Sequence, residues 1–87
     1  MKLTRVDDIT RKPVALHYRN EYAANAVFGM TDGKLLIRRI EFIVEMNPLG
    51  AKDIRVRFLD PIDYPLIPIL KSVKDEIRAL DRKGVLL

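Results

Sequence analysis

Lys34–Met46, KLLIRRIEFIVEM, is the longest run with strand character in the chain, and turn signals stand on both sides of it. We read it as the central strand of a small sheet. Leu35 and Ile37 share one parity, while Ile40, Phe42, Val44 and Met46 share the other, although a regular strand points alternate residues to opposite faces. One extra residue at Arg38-Arg39, a β-bulge, would bring all these apolar side chains to one side.

Immediately upstream, Asp32-Gly33 predicts a two-residue hairpin, since glycine accepts the positive φ that such a turn demands. Pairing Thr31 with Lys34 then sets Met30 opposite Leu35 and Phe28 opposite Ile37. Beyond the bulge, Ala26 falls opposite Ile40 and Ala24 opposite Phe42. A slip of one residue would turn this apolar set outward. Downstream, Asn47-Pro48-Leu49-Gly50 forms a turn. It leads to a clean alternation with Ile54, Val56 and Phe58 inward and Arg55 and Arg57 outward. The expected register sets Met46 against Ile54, Val44 against Val56 and Phe42 against Phe58. Glu45 then faces Arg55, and Glu41 lies diagonal to Arg57. Cross-strand ion pairs of this kind contribute about 0.2 to 1 kcal/mol each.

Farther upstream, Tyr22–Met30 would be the strand partnering the central one, although its alanines would also suit a short helix. Val14, Leu16 and Tyr18 alternate after Pro13 as a half-buried strand would, with Asn20-Glu21 as the following turn. Residues 1–12 fit either an edge strand or a loosely held arm. From Tyr64 to Arg82 the apolar period lengthens to that of a helix, with Leu66, Ile69, Leu70, Val73, Ile77 and Leu80 on one stripe. Asp63 is the expected cap, Pro65 and Pro68 fall near the first turn, and Gly84 is the stop. Lys71, Asp75, Arg78 and Asp81 are spaced for ion pairs along the outer side.

The chain has 87 residues, enough for one domain with one modest core, because a chain of this size buries roughly 60 to 65% of its unfolded surface. The expected class is α+β: an antiparallel β-meander of about four strands over 13–60, then one C-terminal α-helix over 63–83 packed on one face, in a single domain 1–87. The absence of cysteine excludes disulfides, thiolate zinc sites and thiol nucleophiles. No apolar run approaches the roughly 20 residues of a membrane span, and no uncharged apolar N-terminal segment is present. A soluble cytoplasmic protein is expected. Sixteen basic residues against twelve acidic ones give +4, which only slightly favours polyanionic partners.

Chemistry-bearing motifs are lacking. Helix entry explains Asp60 and Asp63 better than a metal or acid/base pair, because carboxylates favour a helix N-terminus. His17 is the sole histidine and has no matching ligand near it in sequence. Ser72 has no glycine elbow, and Asp32-Gly33-Lys34 lacks the glycine-rich loop of a phosphate cradle. No catalytic, cofactor or metal residues, no cofactor and no small-molecule substrate are therefore expected, and the chain is read as non-enzymatic.

Two surfaces remain as candidates. Arg38, Arg39, Arg55 and Arg57, with Lys52, could form a basic stripe across the sheet face away from the helix, suited to phosphate and to stacked bases. Against that, Glu41 and Glu45 would neutralise the stripe, and Phe28, Phe42 and Phe58 all belong to the core side. The order of elements, strands followed by a helix, resembles that of the single-strand-binding fold of the positive-cofactor transcriptional coactivators and Whirly proteins, in element order alone. It adds a little weight to single-stranded nucleic acid as a partner. On the same outer face Val27, Leu36, Ile43 and Leu59 would be apolar positions that one helix cannot cover. The first expectation is thus a small interaction or assembly module that self-associates or binds a partner protein through this face. The alternative is a single-strand-binding or transcription-regulatory domain.

Overall fold

In the computed structural model, which describes residues 1–13 and 17–86, the Asp32-Gly33 turn holds three residues rather than two. The Met30 N–H donates to Lys34 O at 2.8 Å and the Gly33 N–H to Met30 O at 3.0 Å, with Gly33 at φ +83°. This is a type I turn closed by a left-handed glycine. The Asp32 carboxylate secures it by accepting the Lys34 N–H at 2.9 Å. The Asn47–Ala51 turn repeats the design: Gly50 has φ +87°, and Asn47 Oδ1 accepts from Leu49 and Ala51 N–H at 2.9 and 3.0 Å.

The strands are β1 (Lys2–Arg11), β2 (Arg19–Gly29), β3 (Leu35–Met46) and β4 (Lys52–Phe58), followed by helix α1 (Leu66–Arg82). They form an antiparallel sheet in the order β1-β2-β3-β4. The α+β meander with a C-terminal helix is therefore the fold. Residues 2–11 are a paired edge strand and not an arm. The expected strand at Val14 and Leu16 falls on residues outside the described ones, and Tyr18 lies in a turn. Asn20 and Glu21 are not a turn: both belong to β2, paired with Val44 and Ile43.

The three-residue turn moves the register. Gly29 pairs with Leu35, Phe28 with Leu36, Ala24 with Ile40 and Tyr22 with Phe42, without interruption to Arg19–Glu45. The bulge expected at Arg38-Arg39 is absent, because the extra residue already sits in the turn. Leu36, not Leu35 and Ile37, consequently joins the core side. In the second hairpin Val44 pairs with Ile54, Phe42 with Val56 and Ile40 with Phe58. This is two residues from the expected register, so the faces are as read but the partners are not.

The core lies between the sheet and α1. Phe28, Ile40, Phe42, Ile54 and Tyr22 meet Ile69, Val73 and Ile77 from the helix, and Tyr22 stacks on Phe42 with ring centroids 4.8 Å apart. Alanines 24 and 26, fully buried, leave the helix its bed. Leu66 is exposed and only the middle of the apolar stripe reaches the sheet. Pro65, not Asp63, occupies the N-cap, with no side-chain capping bond. At the other end Gly84 N–H donates to Asp81 O and Val85 N–H to Leu80 O, a Schellman termination at Gly84 φ +73°.

Candidate interaction surface

Parity along the strands decides which side chains reach the sheet face opposite α1. In β3 the residues alternating with Ile40, Phe42 and Val44 are Ile37, Arg39, Glu41, Ile43 and Glu45. In β4 they are Asp53, Arg55 and Arg57. Arg39, Arg55 and Arg57 thus share the open face. Arg38 does not: it lies on the helix side, where its Nε donates to Pro61 O at 2.9 Å. Lys52 is also on that side, bound to Asp81 of α1 at 2.7 Å. The five basic residues expected in one stripe are divided between two faces.

Those on the open face are each held by acidic groups. Glu41 is flanked by both Lys12 and Arg57. Arg39 lies 3.2 Å from Asp8 and donates to Asn25 Oδ1 at 3.1 Å, and Arg55 reaches Asp53 at 3.2 Å. Arg19 sits between Glu21 and Glu45 at 3.5 and 3.8 Å, while Arg5 meets Asp7 at 2.7 Å. Six cations and six carboxylates are interleaved in this lattice. Each exposed pair is worth about 0 to 1 kcal/mol, so the lattice acts mainly on the potential of the face. It leaves little net charge there. Glu45 does not face Arg55, as expected, but Asp53; Glu41 faces Arg57 directly.

The apolar positions are also redistributed. Leu36 is on the core side and Val27, on the open face between Arg5 and Ile37, is only 1% exposed. A central-strand valine between two longer side chains has little surface left. Ile43 is half-buried. The residues that do project are Leu35 at 55%, Ile37 at 52% and Leu59 at 46% exposure. Leu59 continues the β4 ladder by donating its N–H to Arg39 O at 2.8 Å, which sets it diagonal to Ile37. Leu35 and Ile37 escape the sequence reading because residues 35–37 are all apolar, and only the Thr31-Asp32-Gly33 turn length chooses among them.

On the helix side, a groove of about 660 Å³ opens at the far end of the sheet, among Tyr18, Tyr22, Val44, Met46, Asp81 and Leu86. The Lys52–Asp81 pair closes one wall. Burial pushes the Tyr22 hydroxyl above the ordinary tyrosine range, with Arg11 opposing the shift. Among the described residues, no group of three or more His, Cys, Asp or Glu side chains could hold a metal ion, and no helix is long and apolar enough to cross a membrane.

A four-stranded antiparallel sheet, one face under a helix and the other carrying a neutral charge lattice with an apolar end, defines the class: a small α+β domain. The chain belongs to a protein family whose model matches residues 1–82 and whose description is a bare locus label that states no activity. Comparisons with curated proteins and with solved structures return no match.

Proposed function

We propose that this chain is a small non-enzymatic assembly module that self-associates through the open face of its sheet. The carrying observation is the exposed trio Leu35, Ile37 and Leu59 together at one end of that face. Covering the exposed half of each contributes about 1 kcal/mol per side chain and copy. The surrounding lattice supports a second copy over a polyanion. A two-fold contact sets one patch against itself, which a single-sign face would oppose and an interleaved one permits. Reaction chemistry has no comparable support: His17, Ser72 and Asp63 are not drawn together into a site. The absence of cysteine suits a reducing compartment, and we place the module in the cytoplasm on that ground.

Light scattering after gel filtration over a concentration series tests the reading. The expected result is a species larger than one chain that shifts to smaller mass in Ile37→Lys, with the circular dichroism spectrum unchanged, because an outward strand position keeps its charge in water. A wild-type monomer at high micromolar concentration would overturn it.

A further inference from the structure

The two edges of the sheet are built differently. β1 is interrupted twice in its pairing, between Leu3 and Arg5 and between Asp7 and Thr10, and Asp8 sits at φ +51°. Such irregularities twist an edge away from strand addition. β4 pairs with β3 without a register shift and holds no proline. The Leu59 N–H bonds to Arg39 O, and the Asn47 N–H to Ala51 O. Odd-numbered residues of β4 therefore turn their amides toward β3, and antiparallel alternation leaves those of Lys52, Ile54, Val56 and Phe58 on the free edge.

We propose that this edge pairs antiparallel with β4 of a second copy, Arg55 opposite Arg55 on a two-fold axis, joining two sheets into one. In that register Ile54 meets Val56 twice on the helix side, and these are residues whose amides face the free edge. On the open face Asp53 meets Arg57 twice. Each of these contacts answers something in the single chain. Asp53 stands opposite Glu45, a like-charge pair, with its cation supplied by Arg55 of its own strand. Arg57 of the second copy adds the missing counter-charge and extends the sequence Glu41–Arg57–Asp53 across the joint. The two Arg55 side chains on the axis arrive with their own Asp53 carboxylates at 3.2 Å. Moving Val56 to the axis would set Arg55 against Arg57 twice, and moving Ile54 there would leave Arg57 and Phe58 beyond the ladder. This contact uses the strand edge, so it is independent of the open face and adds to it.

Because the chain has no cysteine, single cysteines read the register directly. Arg55→Cys places its own copy across a non-hydrogen-bonded pair with Cα atoms about 4.5 Å apart, inside the disulfide range. Arg57→Cys lies four residue steps from its own copy, about 14 Å. Both are made in an Ile37→Lys background, which removes face-to-face association. Oxidation is expected to convert Arg55→Cys to a covalent dimer on a non-reducing gel and to leave Arg57→Cys monomeric. Adding Val56→Pro, which deletes only an edge-directed N–H, abolishes the cross-link. Should that proline unfold the domain, Arg57→Asp serves instead: it loses the cross-link, and Asp53→Arg combined with it restores the cross-link. Equal cross-linking at 55 and 57 overturns the register. An uncross-linked Arg55→Cys, in a protein whose association still depends on Ile37, overturns the edge contact and leaves the face reading standing. Edge cross-linking with no effect of Ile37→Lys on wild-type mass does the reverse.

Discussion

The Asp60 carboxylate accepts the backbone N–H of Arg39 at 2.7 Å. Arg39 is where the β3–β4 ladder ends: its carbonyl still takes the Leu59 N–H, but the chain then leaves the sheet at Pro61. The side chain of Asp60 supplies the acceptor that a further strand residue would have supplied. One residue on, Arg38 Nε binds the Pro61 carbonyl, so the linker into α1 is tied to adjacent positions of the central strand. These two bonds fix where the helix begins its crossing of the sheet.

Asp60→Ala should therefore lower stability by about 1 kcal/mol, the usual net worth of such a bond. Chemical denaturation reads the loss, and hydrogen exchange at the Arg39 amide should accelerate more than at Ile43. Asp60→Asn, which keeps an acceptor oxygen, should recover part of it.

Gly33 and Gly50 carry positive φ, and an added Cβ meets nothing within 4 Å at either. Alanine there should cost only the left-handed backbone penalty, roughly 1 to 2 kcal/mol per site, and the two losses should add. Asparagine should cost less than alanine at both. Thermal unfolding of the four single variants checks this, and an unchanged midpoint in Gly33→Ala would mean that the turn is not the three-residue form.

The strands, their order and the closing helix are legible in the sequence because polar neighbours bracket the core residues: Arg39, Glu41 and Glu45 leave Ile40, Phe42 and Val44 only one assignment. Where neighbours agree in polarity, alternation cannot choose. Leu35, Leu36 and Ile37 fit either face, and one residue in the turn decides between them. The expected register of the second hairpin is off by two residues, an error that alternation cannot detect because it preserves every face. The basic stripe fails for a related reason: Arg38 and Arg39 are neighbours in sequence and so point to opposite faces. Proximity to the helix makes Asp63 the expected cap, but the carboxylate that the chain uses is Asp60, and it finishes a ladder instead.

The lattice on the open face predicts how charge can be unmasked. Glu41→Gln removes the carboxylate shared by Lys12 and Arg57. Affinity for a short single-stranded oligonucleotide at low salt should rise, with a salt slope steeper by about one to two phosphates. Changing Arg55 and Arg57 to Ala in that background should cancel the gain. Fluorescence anisotropy over a salt series gives both numbers, and steep salt-dependent binding by the wild type would favour the nucleic-acid reading over the assembly module.

Tyr22 makes the stability of the domain depend on alkaline pH. Its ring is buried against Phe42, and desolvation of the phenolate raises its pKa above the ordinary value, with Arg11 pulling the other way. A raised folded-state pKa means that the unfolded chain releases this proton first. The stabilisation is therefore fully present below about pH 10, the unfolded tyrosine value, and is lost as pH rises through the folded value. Tyr22→Phe keeps the stacked ring and removes the ionisation. The difference in unfolding free energy between wild type and Tyr22→Phe should be constant below about pH 9 and should shift in favour of the variant above about pH 10. In parallel, phenolate absorbance should show a component titrating above the ordinary tyrosine range that the variant lacks. If the two proteins keep the same stability difference throughout the alkaline range, the Tyr22 hydroxyl is solvated and its ring is not seated under the helix as described.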